Sequence, residues 1–396
     1  MTGRPRAMRR LTVGAVVGLG LVLTGCAKNA PQDTFRPAGT AAKTIDKLRW
    51  VYYAAGVVGI IVAVAVVVAV VKFRDKPGRA IPPQSHGNKG VEIGLTACSA
   101  ALLLAVAIPT TTTILKLAKQ PPKDALTVNV IGQQWWWEYQ YVGLKTADGA
   151  NIVITSGELV MPVGQKVKLN ITSRDVIHSF WIPRLNGKKD AVPGRIHPLW
   201  MEADQPGLYD GQCTEFCGLS HANMRMAVAA LNDADWKQWV AGQTQPSAKP
   251  ADNSPAAAGY AAFGRCVSCH QNNGYTDAAG KQIVAQPGEQ LVSGAAPNLT
   301  HLMSRSTFAG GSFDLMTEAC RQALIDAKPA DFGQMYLKGS AGCLNRPQLE
   351  RWLRDPAAMK PMAPAPNKNG LRRGMPNLGL SEQQIDDLIA YLTTLK

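Results

Sequence analysis

Residues 213–224 read CTEFCGLSHANM, and this one short stretch carries two thiols, an imidazole and a thioether: Cys213, Cys217, His221 and Met224. Thiolates and thioethers are soft donors that suit copper, and imidazole is compatible with it. His/Cys ligation with a weak axial Met is the donor set of copper electron-transfer sites. The second cysteine points beyond a mononuclear site, because two bridging sulfurs let a pair of metals share one electron. A zinc site and, outside the cytoplasm, a Cys213–Cys217 disulfide are the competing readings, and Met224 argues for copper.

Such a centre needs a second histidine from a distant strand. Lys166 to Thr172 alternates strictly, with Val167, Leu169 and Ile171 on one face and Lys166, Lys168, Asn170 and Thr172 on the other. That is the period of a half-buried strand. Directly after it, RDVIHSFWIP (174–183) supplies His178. Gly, Pro and Asp punctuate the rest of 125–240, as expected for an antiparallel β-sandwich or barrel.

The pattern C-x-E-x-C-x-x-x-H-x-x-M with an upstream D-V-x-H-S resembles the CuA domain of cytochrome c oxidase subunit II. The likeness extends to KKDAVPGR (188–195), to QWWWEY (134–139) and to the preceding apolar segments, covering roughly residues 45–240. It implies a cupredoxin-like β-barrel holding binuclear copper through His178, Cys213, Cys217, His221, Met224 and the backbone carbonyl of Glu215. The Glu215 side chain would face a magnesium ion at the junction with subunit I. Trp135 matches the family's surface tryptophan through which electrons enter, and Glu92 matches a glutamate at the mouth of a proton pathway. After that glutamate the family reads W-T-x-x-P, whereas this chain has Leu95, Thr96, Ala97, Cys98 and Ser99.

The N-terminal part is a membrane anchor. Trp50 to Val71 and Ile93 to Leu115 are charge-free runs of 22 and 23 residues, long enough to span a bilayer core of about 30 Å. Between them lie Lys72, Arg74, Lys76, Arg79 and Lys89 against the single acid Asp75. The loop is therefore cytoplasmic by the positive-inside rule, and both chain ends lie outside. Residues 1–25, with Arg4, Arg6, Arg9 and Arg10 before an apolar stretch, form a signal peptide. Its Leu-Thr-Gly-Cys ending resembles a bacterial lipoprotein signal, which implies lipidation at Cys26. A polar segment, 26–47, leads into the two-helix hairpin of 48–116, which anchors the chain in the bacterial plasma membrane.

Residues 241–258, AGQTQPSAKPADNSPAAA, are a linker by composition; at about 18 residues its r.m.s. span is on the order of 20–25 Å. Beyond it, 259–396 opens on CVSCH (266–270), the attachment pattern for a covalent haem c. Cys266 and Cys269 would form the thioether bonds and His270 the proximal ligand. GMPNLGLSEQQIDDLIAYL (374–392) resembles the ending of small bacterial cytochromes c and implies Met375 as the second axial ligand, with Met359 and Met362 as alternatives. The long interval between His270 and Met375 calls for an insertion, and Cys320 and Cys343 within it are expected to form a disulfide. Ser381 with Gln384 is a capping-box signal for a final helix. The fold class is thus a membrane-anchored multidomain chain: a transmembrane hairpin, a cupredoxin-like barrel and an all-α cytochrome c domain.

The net charge is +14, or +10 without the four signal-peptide arginines. The basic residues follow the membrane segments instead of interleaving with aromatics, which disfavours nucleic acid as a partner. The superfamily's oxygen-reducing subunit uses six histidines for its metals; this chain has six in all, with three assigned elsewhere, so oxygen chemistry belongs to a partner. The resemblance implies subunits I and III as partners, and as donor an upstream cytochrome bc-type complex or a soluble cytochrome. Two rivals are a nitric-oxide-reducing relative fed by the same copper centre and a membrane copper-delivery lipoprotein. The CVSCH module argues against the second.

Overall fold

The structure is a computed structural model that describes residues 34–74, 77–78, 84, 87–147, 152–247, 249–272, 296–363 and 373–396. The signal segment, Cys26 and His86 lie outside the described residues.

Helix α1 (Thr40–Asp46) precedes the two long apolar helices, α2 (Trp50–Lys72) and α3 (Lys89–Leu117). At 23 and 29 residues and a rise of about 1.5 Å per residue, each exceeds the bilayer core. Neither buries any residue against the rest of the chain, as expected of helices that lipid would surround. Asn88 caps α3 by accepting from the Gly90 and Val91 amides at 3.0 and 3.2 Å. At its far end the Trp200 indole donates to the Leu117 carbonyl at 3.0 Å. Helix α1 is anchored to the β-domain too: the Ala42 amide donates to Leu185 at 3.1 Å, and Lys43 pairs with Asp204 at 2.6 Å.

Ten strands follow: β1 (Thr127–Gln133), β2 (Trp136–Val142), β3 (Ile152–Ser156), β4 (Glu158–Pro162), β5 (Val167–Ser173), β6 (His178–Phe180), β7 (Lys189–Ala191), β8 (His197–Met201), β9 (Gly207–Gln212) and β10 (Arg225–Leu231). They form a five-stranded sheet ordered β3-β2-β1-β5-β8, a three-stranded sheet β4-β10-β9 and the hairpin β6-β7. The alternation in 166–172 is real: Val167, Leu169 and Ile171 are fully buried in β5. The expectation of purely antiparallel pairing is corrected, because β1 pairs β5 and β4 pairs β10 in parallel. The intervening strands cross between sheets, so these neighbours in space are not neighbours in sequence, and such crossovers permit parallel register. Both sheets pack on one core that includes Val130, Tyr139, Leu159, Ile171 and Val228.

Helix α4 (Asp233–Gln243) packs on the barrel, with Trp236 and Trp239 stacked on each other and tilted against Tyr141. It absorbs residues 241–243 of the compositional linker, and α5 (Pro255–Phe263) absorbs 255–258. The remaining elements are the two-residue strands β11 (Thr307–Phe308) and β12 (Phe313–Asp314), then α6 (Glu318–Ile325), α7 (Pro329–Leu337), α8 (Arg346–Arg354), α9 (Pro356–Met359) and α10 (Glu382–Leu392). Ser381 and Gln384 form the expected capping box on α10, whose Ile385, Leu388, Ile389 and Leu392 are buried. Cys320 and Cys343 are joined by a disulfide.

Residues 302–363 do not behave as an insertion confined to the helical region. Met316, Leu324, Phe332 and Tyr336 belong to the barrel's core, whereas Leu349 and Leu353 pack with α5 and α10 in a second core. The interface is polar and buried at its centre. Glu158 Oε1 accepts from the amides and hydroxyls of Ser306 and Thr307 at 2.7 to 2.9 Å, and Oε2 accepts from the Tyr336 hydroxyl at 2.9 Å.

Candidate metal centre

The loop 213–224 joins β9 to β10, which are antiparallel partners with Gln212 opposite Arg225. Its base is closed by the Cys213 amide donating to the Met224 carbonyl at 3.0 Å. Gly218 sits at φ +110°, where a Cβ would lie 2.9 Å from Gln134 Nε2, so the tight reversal there requires glycine. The loop is stitched to β6 by the Thr214 amide donating to Ser179 at 3.1 Å and the Gln212 amide to Trp181 at 3.2 Å. That places His178, the first residue of β6, beside it.

The side chains converge. Cys213 Sγ lies 3.9 Å from Cys217 Sγ and 4.0 Å from His178 Nδ1. Cys217 Sγ lies 3.6 Å from His221 Nδ1 and 3.8 Å from Met224 Sδ. The Glu215 carbonyl is 3.3 Å from Cys213 Sγ. All six residues named from the sequence therefore meet at one point. Cys213, Cys217, His178 and Met224 are buried, while His221 is half-buried with the exposed Phe216 ring 5.7 Å away. The sulfurs are separate thiols at this spacing, which removes the disulfide reading.

Electrostatics favour a cation. The Cys217 thiol hydrogen-bonds Cys213 and, with His178, brings its pKa down to about 4; the same contact and burial push Cys217 up. The pair sheds one proton readily and the second only with added positive charge, as a metal supplies. His178 Nε2 is 2.9 Å from Asp175 Oδ1, which leaves Nδ1 facing the sulfurs, the usual way a carboxylate orients a ligating histidine. Burial lowers the His178 pKa, but the bonds to Asp175 and Cys213 outweigh it and raise the net value. Gly132 makes room for that ring: a Cβ there would fall 2.8 Å from His178 Cδ2.

Sequence reasoning did not assign Asp175, Gln134 or Lys360. The Gln134 amide donates to Asp175 Oδ2 at 2.8 Å, and the Gln134 side chain and Trp135 indole both donate to the Cys217 carbonyl, at 2.6 and 3.0 Å. Only Asp175 had a signal, its three-residue offset from His178. Lys360 Nζ, nearly inaccessible, donates to the Trp135 and Ala309 carbonyls at 2.8 and 2.7 Å. Burial drives its pKa down to about 7 against the opposing pull of Cys217. The surface position implied for Trp135 is corrected, since it is 4% exposed.

At the second candidate site, Cys266 to His270 wind into one turn, with the His270 amide donating to the Cys266 carbonyl at 2.8 Å. His270 Nδ1 bonds the Pro297 carbonyl at 2.8 Å, freeing Nε2 for an iron. Next to Pro297, Asn298 Nδ2 is a buried donor with no acceptor among the described residues, which fits a group with anionic edges. Cys266 and Met375 pack against one core, Met362 against the other. Glu92 lies in the first turn of α3, far along the chain from either centre.

A barrel with buried soft donors in one loop and a strand-borne histidine, hung from two apolar helices, defines a membrane-anchored copper electron-transfer protein. Residues 144–231 match the family described as cytochrome c oxidase subunit II, periplasmic domain. The chain is similar to cytochrome c oxidase subunit 2 of Alkalihalophilus pseudofirmus, 31% identical over 387 residues, covering 96% of this chain and 95% of that one. The subunit 2 of Bacillus subtilis is 29% identical over 397 residues, covering 95% of each. The crystal structure of the periplasmic domain of subunit II from Bradyrhizobium japonicum is 31% identical, with a TM-score of 0.29, and covers 31% of this chain and 96% of that one. This chain belongs to the cytochrome c oxidase subunit II family. It is a membrane subunit of a haem–copper oxidase complex and transfers electrons through CuA.

Proposed function

We propose that the chain takes electrons in at its own haem c, passes them to CuA, and delivers them to the oxygen-reducing subunit I. The observation that carries this reading is the meeting of His178, Cys213, Cys217, His221, Met224 and the Glu215 carbonyl around one buried point. Held by these donors, paired copper would supply one-electron storage. The protein's part is to hold the donors in place beforehand. Asp175 fixes the His178 ring, and Gln134 and Trp135 pin the Cys217 carbonyl.

The haem assignment rests on Cys266, Cys269 and His270 in one turn, the Pro297 carbonyl orienting His270, and Met375 in the same core. A haem held there by Cys266, Cys269, His270 and Met375 would supply a relatively high-potential one-electron carrier. The half-buried His221, flanked by exposed Phe216 and Leu219, is the face offered to subunit I, with Glu215 as the magnesium contact. Both termini are extracytoplasmic, and the two helices with the Cys26 lipid hold the chain at the plasma membrane.

The full-length chain, matured with haem and copper, should show a low-spin c haem and a mixed-valence copper signal at about one haem to two coppers. Cys217→Ser should abolish the copper signal and leave the haem bands. Zinc at the sulfur site, or haem bands lost with Cys217, would overturn the assignment.

A further inference from the structure

The residue where the family resemblance places electron input from outside is not at the surface. Trp135 is 4% exposed, and residues C-terminal to 302 lie on its backbone. Its carbonyl accepts from Lys360 Nζ at 2.8 Å, and a Cβ on Gly310 would fall 2.4 Å from that oxygen. The same segment grips the metal loop at several further points. Ser220 Oγ donates to the Pro361 carbonyl at 2.5 Å, Ser312 Oγ to the Asn223 carbonyl, and the Arg225 amide to the Gly310 carbonyl at 3.1 Å. Arg373, beyond it, reaches Asp175 at 3.1 Å.

We infer that residues 302–363 form a fixed cap over the Trp135 flank of the metal centre, closing that flank to a diffusing donor protein and committing electron input to the chain's own C-terminal module. The inference rests on the copper reading for its functional meaning but on contacts alone for its geometry. The cap is specified by reciprocal buried polar groups. The barrel sends the Glu158 carboxylate among Ser306, Thr307 and Tyr336 of the cap, and the cap sends the Lys360 side-chain nitrogen against the Trp135 carbonyl of the barrel. A buried polar group that leaves its position loses its hydrogen bonds and is left unsatisfied. Their joint presence therefore defines one docked arrangement rather than a sliding surface. On this flank the Trp135 carbonyl, the Asn223 carbonyl, the Arg225 amide and the Ser220 hydroxyl are already engaged from within the chain. Phe216 and Leu219 of the same loop remain 77% and 67% exposed and stay free for subunit I.

Hydroxyl-radical footprinting of the full chain in detergent tests the cap without any metal. Trp135 should be protected, relative to the urea-unfolded chain, to within about twofold of fully buried Trp137, and Phe216 should be close to unprotected. Lys360→Glu, which sets an anion against two carbonyls, should unmask Trp135 but not Trp137, and Lys360→Met should do so more weakly. In copper-loaded protein made haem-free by Cys266→Ser with Cys269→Ser, a reduced soluble mono-haem cytochrome c should reduce the copper at least about tenfold faster once Lys360→Glu is added. Rapid oxidation of Trp135 in the native chain, or equal reduction rates with and without Lys360→Glu, overturns the cap. Protected Trp135 in a chain that never develops a paired-copper signal supports the cap and sinks the copper reading instead.

Discussion

Replacing Glu158 by alanine should undock residues 302–337 from the barrel while leaving the barrel folded. The carboxylate is 1% exposed and receives five donors: two amides, two hydroxyls and a phenol. The three hydroxyls can rotate to other acceptors, but the Ser306 and Thr307 amides cannot, and a buried unsatisfied amide costs about 1–3 kcal/mol. Two such amides plus the vacated volume give about 3–5 kcal/mol, the usual cost of removing one partner from a buried charged cluster. Glu158→Gln keeps an oxygen for the amides and loses only charge assistance, so about 1–2 kcal/mol is expected.

Amide exchange by mass spectrometry reads this locally. A loss of about 3 kcal/mol at Ser306 and Thr307 is roughly a 100-fold faster exchange, with Glu158→Gln intermediate and the β1 amide of Val130 unchanged. The reasoning is refuted if Glu158→Ala exchanges at 306–307 within about threefold of the parent, or if Val130 accelerates equally. The second outcome would mean that barrel and cap open as one unit.

Three further outcomes follow from the metal and haem sites. Asp175→Asn removes the carboxylate that orients His178, so copper affinity, measured by competition with a chromophoric chelator, should fall about 10- to 100-fold; unchanged affinity would exclude the orienting role. Gly132→Ala places a methyl 2.8 Å from His178 Cδ2 and should cost about 1–3 kcal/mol of stability while displacing the imidazole, visible as an altered copper spectrum in a folded chain. Met375→Leu should lower the haem reduction potential and let added imidazole bind the iron, whereas Met362→Leu should do neither; the reverse result would move the axial ligand to Met362.

The metal centre was legible because its donors are local. Five of them lie in one twelve-residue loop between paired strands, and the sixth, His178, opens the short strand after an alternating one, where the period of two had already set the backbone. Asp175 stood in plain view, yet its role depends on the turn that bends Oδ1 back onto Nε2, and spacing alone does not encode that geometry. The parallel pairs β1–β5 and β4–β10 were hidden because single-strand periodicity carries no information on partner or direction. The burial of Trp135 was not legible, since the contacts on its carbonyl arrive from Gly310 and Lys360, far along the chain.

Glu158 and Lys360 mark the limit of local reading. A lone glutamate at a strand edge and a lone lysine among prolines both look like solvated charges, and nothing within ten residues of either contradicts that. Burial becomes tolerable through partners 51 to 225 positions away. The same long reach explains how the chain divides its cores. Helices α6 and α7, after the haem motif in sequence, pack with the barrel, while α8 and α10 return to the module that contains Cys266 and Met375. The covalent path therefore crosses the interface more than once, and the two cores are joined through packed structure as well as through the chain between α4 and α5. A tether alone would set only an effective concentration. Repeated crossings with buried polar contacts at the seam instead fix one orientation of the two cores.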